Sequence, residues 1–209
     1  MFNMRKCLLL IVAAMVCFGA FARGGVPGVR TEWGVVAGVD HPMAKFSMGQ
    51  SSAQLNAKTG FVAGLHLGLR IVGVLGIQPE ILYSHNRISL NDEAKGFDSV
   101  IRCNRVQIPL LVSLKFGFFR INAGPVLTVM DNPIYTDFNN ERVFFGATYP
   151  TISYAAGVAV SLFDRLLIDA RVQSGFKAME NCLSYGAKAQ TEYIKTTMFN
   201  AQLKVGILF

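Results

Sequence analysis

Three histidines, His41, His66 and His85, are the first candidates for chemistry in this chain, with the hydroxyls of Ser47, Ser84 and Ser89 close by in sequence. An imidazole beside a hydroxyl and a carboxylate is the composition used in acyl transfer and lipid hydrolysis. No spacing forces such a triad here and no GxSxG occurs, so catalysis is not expected and no cofactor is implied. Of the four cysteines, Cys7 and Cys17 fall in an apolar leader, leaving Cys103 and Cys182. Without a CxxC or other metal-type spacing they indicate no metal site; in an oxidising compartment they can pair or stay free. A larger set is more informative. Glu32, Arg70, Glu80, Arg105, Lys115, Arg120, Asp169, Arg171 and Lys204 all fall on the polar line of segments that alternate with period two. If that line is enclosed, its charges must pair, and both signs are present. Glu80 then has Arg120 or Arg171 as candidate partners.

The segments that carry these residues decide what encloses them. The chain is 52% apolar and only 16% charged, whereas an average domain has about 25% charged residues. No stretch after the leader reaches the ~18 apolar residues of a membrane helix. The leader is expected to be a secretory signal over residues 1–22: Arg5 and Lys6, then "CLLLIVAAMVCFGAF", then small residues at Ala20 and Ala22. The mature domain is then 23–209. It keeps 18 of the 20 basic residues against 13 acids, a mild and scattered excess that does not point to nucleic acid.

Eight strand-like segments follow, at 31–40, 60–72, 75–86, 100–116, 119–131, 151–163, 165–177 and 197–209. One face reads Trp33, Val35, Ala37, Val39, or Phe199, Ala201, Leu203, Val205, Ile207, Phe209; the other mixes glycine with polar residues. Connections alternate between short turns ("GVL", "GF", "FDR") and stretches of about 13 to about 20 residues such as "NRISLNDEAKGFDS" and "DNPIYTDFNNERVFFGATYP". Short turns at one end and long loops at the other are the plan of an outer-membrane barrel.

A soluble barrel with its apolar face inward is the alternative. Glycine on a water-exposed strand face weakens the strand, whereas inside a narrow barrel it makes room for longer neighbours. Aromatics also bracket the apolar face: Phe61, Tyr83, Tyr154, Phe176 and Phe199 near the long loops, Trp33, Phe116, Phe119 and Phe209 near the short turns. Phe199 to Phe209 spans roughly 25 Å of height at a tilt of about 40°, matching the band between two aromatic girdles. The fold class expected is all-β, an eight-stranded antiparallel transmembrane up-and-down barrel whose apolar face meets lipid. Pro79 is expected to cause a local bulge or irregularity, because it lacks an N–H for the ladder.

The segments "GIQPEILYS" (76–84), "RVQIPLLVSLKFG" (105–117), "NAGPVL" (122–127) and "LLIDARVQSGF" (166–176) resemble the PorT-like outer-membrane β-barrel proteins of Gram-negative bacteria. The resemblance covers most of the mature chain and implies the barrel and an outer-membrane location. One namesake is associated with protein secretion and gliding. The terminal "MFNAQLKVGILF" also resembles the signal read by barrel-assembly machinery. The function expected is that of a small integral outer-membrane barrel, monomeric and with a plugged lumen, whose long loops give it a structural or adhesive role toward an unidentified external partner. The alternatives are a narrow pore or an accessory part of a transport or secretion machine, and, less favoured, a lipid-modifying enzyme at the rim. Outer-membrane lipid and, during insertion, the assembly machinery are the other partners implied.

Overall fold

The computed structural model describes residues 29–47, 54–71, 73–92, 97–136, 142–144, 152–163, 165–175, 179–185 and 190–209. The expected leader and the long-loop tips lie outside these residues. Ten strands are formed: β1 (Val29–Ser47), β2 (Gln54–Ile71), β3 (Leu75–Asp92), β4 (Phe97–Phe116), β5 (Phe119–Thr136), β6 (Arg142–Phe144), β7 (Ile152–Leu162), β8 (Leu166–Gly175), β9 (Met179–Tyr185) and β10 (Gln190–Leu208).

Eight of them make the wall, in the order β1-β2-β3-β4-β5-β7-β8-β10, every neighbouring pair antiparallel, and β10 returns to pair with β1 from Gly34↔Leu208 to Ser47↔Lys195. The barrel is closed. Its apolar stripe faces outward: Trp33, Val35, Val39, Phe61, Leu65, Val112, Ile121, Val158, Leu203, Val205 and Ile207 are exposed, while the alternate residues are buried.

The short turns are tight. Gly73 and Gly117 adopt positive φ (76° and 60°), and Phe163 does so at 54° in the third turn, a conformation disfavoured for a residue with a Cβ. Adjacent turns are tied laterally, with Ser161 N–H donating to the Phe118 carbonyl (2.8 Å) and Leu208 N–H to the Arg165 carbonyl (2.7 Å). At the seam Phe209 N–H donates to the Trp33 carbonyl at 2.7 Å, and the two rings stack with centroids 4.8 Å apart.

Three expectations need correcting. Six wall strands, β1 to β5 and β10, run past their expected outer ends, so that much of "NRISLNDEAKGFDS" belongs to β3 and β4, and two short strands appear that alternation did not reveal. Beyond the membrane the outer surface meets water, so apolar alternation fades there while backbone pairing continues. The second correction concerns Pro79. The register with β2 is the same on both sides of it, His66↔Glu80 and Leu69↔Ile77, so there is no bulge, but the pairing lapses between them at Gln78 and Pro79. The register shifts lie between Lys58 and Phe61 and between Val106 and Gln107. Third, the inward line is less polar than expected: Val36, Val62, Leu82, Ala159, Leu167 and Leu208 form one buried group and Leu111, Val126 and Ala155 another.

Strand lengths are uneven. A membrane crossing needs about 9–11 residues, which β7 (11 residues) and β8 (10 residues) just meet. The 19 residues of β1 rise roughly 45–50 Å at the same tilt. β1 to β5 and β10 therefore project outward beyond the apolar band. β6 pairs with the outer end of β5 and β9 with that of β10.

Close approach of the walls needs glycine at Gly64, where a Cβ would lie 1.9 Å from the Ile81 carbonyl oxygen. Gly64→Val should force the backbone apart and cost about 1–3 kcal/mol or more. Loss of the faster-migrating unboiled band on SDS gels, with the midpoint of a urea titration in lipid vesicles, measures it; an unchanged midpoint contradicts the packing argument.

Candidate functional site: a braced and charged lumen

An eight-stranded wall leaves an interior just wide enough for side chains. Here three carboxylate centres occupy it, one above another. The lowest, near the short turns, is Glu32 on β1. It accepts a hydrogen bond from Arg70 of β2 (Nη2–Oε2 2.8 Å) and two from Arg120 of β5, one of them Nη2–Oε2 at 3.0 Å. Lys115, half-buried, lies beside Arg120 in register at the same mouth.

The middle centre is Glu80 on β3, fully enclosed. Arg171 of β8 grips both its oxygens (2.8 and 2.9 Å), Lys204 of β10 approaches Oε2 at 2.7 Å, and His66 Nδ1 lies 3.0 Å from Oε1. Arg171 also donates from Nε (3.1 Å) and Nη2 to Asp169 on its own strand, so a single guanidinium is shared by two acids. Bidentate guanidinium–carboxylate pairs of this kind are among the strongest side-chain hydrogen bonds.

The uppermost centre is Asp40 on β1. Arg105 of β4 donates to Oδ2 at 2.6 Å, Ser84 at 2.5 Å and Asn86 at 2.9 Å, while Asn200 of β10 donates to Oδ1 at 2.9 Å. Asp40, Arg105, Asn86 and Asn200 are each 1% exposed or less.

In each centre at least one ion pair joins strands that are not neighbours in the wall: Glu32–Arg120 links β1 to β5, Glu80–Arg171 and Glu80–Lys204 link β3 to β8 and to β10, and Asp40–Arg105 links β1 to β4. These are braces across the lumen. Leu82, Leu111 and Leu167 are buried beside them. Ion pairs so enclosed add little net stability, since desolvation offsets their attraction, but breaking one partner is expensive. Their stronger effect is on register. Slipping β10 by one residue would turn Lys204 into lipid, where a lysine at mid-depth costs about 2–4 kcal/mol, and would remove a cation from Glu80.

The sequence-predicted lumen residues thus fall into this interior, but their pairings were only partly legible. Glu80 takes Arg171 and Lys204, while Arg120 goes to Glu32. Asp40 is not among the sequence-predicted residues, because it stands at the expected strand's last residue, where the apolar alternation stops. His66, singled out by residue type alone, is buried here beside Glu80.

His41 and His85 are on the outward side, within hydrogen-bond distance of Thr59 (2.9 Å) and Asn104 (2.6 Å). Ser84, a candidate hydroxyl for either, faces inward and donates to Asp40 instead. Of the aromatics, Trp33, Phe61, Tyr83, Phe116, Phe119, Tyr154 and Phe209 are exposed on the outer surface and Phe199 is half-buried; Phe176 lies outside the described residues. Phe118 and Phe163, both exposed in turns, extend the lower girdle and carry no period-two signal that could have revealed them. Cys103 is buried on β4 and Cys182 lies on β9, opposite Tyr193 of β10. Their strands are not adjacent, and the side chain of Cys182 lies outside the described residues.

An outward apolar stripe, a closed ladder and a charged, enclosed interior define a transmembrane β-barrel of the Gram-negative outer membrane. The chain belongs to the outer membrane protein beta-barrel domain family, which it matches over residues 27–209. Among curated proteins none matches it in sequence. Among solved structures it is similar to the attachment invasion locus protein of Yersinia pestis, determined in complex with the heparin analogue sucrose octasulfate (TM-score 0.53, 10% identity, 86% of this chain and 99% of that one). Neisserial surface protein A (TM-score 0.49, 16% identity, 84% and 96%) and the outer membrane protein OprG of Pseudomonas aeruginosa (TM-score 0.48, 10% identity, 85% and 95%) overlay less closely. At such identities the likeness concerns the fold.

Glu80→Gln should leave Arg171 and Lys204 under-neutralised and cost about 3–5 kcal/mol. Adding Lys204→Gln to it should recover part of that loss, with a coupling of about 0.5–3 kcal/mol in the double-mutant cycle. Urea titrations in vesicles measure the cycle, and strictly additive losses would show that the two residues do not interact.

Proposed function

We propose that this protein is a non-conducting outer-membrane scaffold that holds a raised, lopsided rim of strands and loops toward an external partner. The observation that carries the reading is the pairing of a braced lumen with strands that project far beyond the membrane on one side only. A channel gains nothing from ion pairs that cross its bore, and a simple anchor gains nothing from a tall rim. Loops on rigid supports are where recognition resides in such folds. Residues 137–150, mixing aromatics with charges, suit contact with a surface polymer or protein. The segments at 76–84, 105–117, 122–127 and 166–176 support placing the chain near the PorT-like branch within its family.

Replacing residues 137–150 with a short Gly-Ser turn should abolish retention of displaying cells on a panel of immobilised polysaccharides and proteins, while the barrel still folds. Equal retention by the trimmed protein would sink the adhesive reading.

A narrow conduit is the second reading. It is favoured by Gln107, Thr128 and Gln202, whose buried polar atoms Nε2 and Oε1, Oγ1, and Nε2, respectively, find no hydrogen-bond partner among the described residues. The scaffold reading expects a flat trace when the purified protein is inserted in planar bilayers. Steady, reproducible unitary steps would favour the conduit.

A further inference from the structure

Just above the outer aromatic girdle, Lys58, Arg87 and Arg102 stand side by side on three neighbouring strands. Lys58 is directly opposite Arg87, and Arg87 is directly opposite Arg102. All three are exposed, whereas Asn86 and Cys103, next to them in sequence, are buried, so the row lies on the outer surface of the wall. Residues directly opposite one another have Cβ atoms about 4.5–5.5 Å apart, and like charges in that position repel.

Among the described residues no acidic side chain relieves this repulsion. The ion pairs of the described residues end on Glu32, Asp40, Glu80 and Asp169, all in the lumen. The flanking described side chains on the same face are Phe61, His85 and Asn104, toward the membrane. None is acidic. Three adjacent cations with no counter-charge among the described residues point to one supplied from outside.

The height of the row says where that charge comes from. Phe61 stacks with Tyr83 (centroids 6.0 Å apart) and with His85 (5.6 Å). Tyr83 donates to Asn104 Oδ1 at 3.0 Å, and His85 Nδ1 lies 2.6 Å from the same oxygen. Aromatic rings with polar tips so arranged sit at the membrane–water interface. Arg87 lies two residues further out than His85, about 5 Å higher after tilt, level with lipid headgroups. Guanidinium groups bind phosphate oxygens in pairs.

We propose that Lys58, Arg87 and Arg102 form a binding site for the phosphate groups of a phosphorylated glycolipid in the outer leaflet, with the Phe61–Tyr83–His85 cluster against the lipid just below its headgroup. This site is on the outer wall and is independent of whether the lumen conducts.

The test uses the full barrel in phosphatidylcholine nanodiscs. These are left plain, doped with a diphosphorylated glucosamine-disaccharide lipid, doped with the same lipid after enzymatic dephosphorylation, or supplied with inorganic phosphate. The unfolding temperature is read for wild type, for K58Q/R87Q/R102Q and for Arg87→Glu. The phosphorylated lipid should raise the wild-type value by several degrees, less so at high salt, and neither the dephosphorylated lipid nor inorganic phosphate should match it. The triple variant should lose most of the rise. Arg87→Glu converts two repulsive contacts into attractive ones, so it should unfold at a higher temperature than wild type in plain nanodiscs yet gain nothing from the lipid. It also serves as the reading should the triple variant fail to fold. An equal rise with the dephosphorylated lipid, an equal rise with inorganic phosphate, or an undiminished rise in either variant would each overturn the proposal.

Discussion

Hydrocarbon offers no hydrogen-bond partner to a peptide group, so a sheet that crosses a bilayer must satisfy every N–H and C=O from within itself. In this protein that requirement is met where β10 joins β1, from the Trp33–Phe209 pair at the short-turn mouth to Ser47↔Lys195 above it. Everything else follows from the ring being shut. Because the outer face is given over to lipid, the alternate face can only point at itself, and its residues become one another's solvent. The apolar stripe and the ion-paired interior are two sides of the same ladder. A single-residue slip would exchange them wholesale.

A small circumference sets the second constraint. Eight strands leave no space for water-filled bulk, so each enclosed charge must find a counter-charge within the reach of a side chain. Glu32, Glu80 and Asp40 do so by accepting from both adjacent and distant strands. The adjacent contacts duplicate what the backbone already secures. The distant ones, to Arg120, Arg171 and Arg105, hold the bore at a fixed width in three places, which backbone pairing around the circumference cannot do by itself. Val36, Val62 and Leu82 fill space beside them.

The sequence exposed the lipid-facing half of this design almost completely, because lipid is a uniform solvent and every residue touching it obeys one rule. Val35, Leu65, Val112 and Leu203 could be assigned to the outside from period alone. The lumen obeys no such rule. Which cation reaches Glu80 depends on how strands are staggered around the ring, so Arg120 and Arg171 were equivalent on paper and are not equivalent in space. Asp40 shows the same limit from another side: its position where the apolar alternation stops looks like a boundary, although the strand continues to Ser47. Strand extension above the membrane was hidden for the reason that Lys58, Arg87 and Arg102 are there. Once the outer face meets headgroups and water, apolar alternation stops while backbone pairing does not.

The sources of the counter-ions also impose an order of events. Glu80 lies on the third wall strand, but the cations that hold it, Arg171 and Lys204, lie on the last two. A sheet assembled from the first strand onward therefore carries a naked carboxylate on its concave side until its final hairpin arrives. Such a half-built sheet stays wet inside, because that charge keeps its hydration shell. The step that sews the seam also discharges the interior and drives its water out. Edge closure and dehydration are then one event, which makes the last strand the commitment point of assembly and leaves partly closed forms with little to stabilise them.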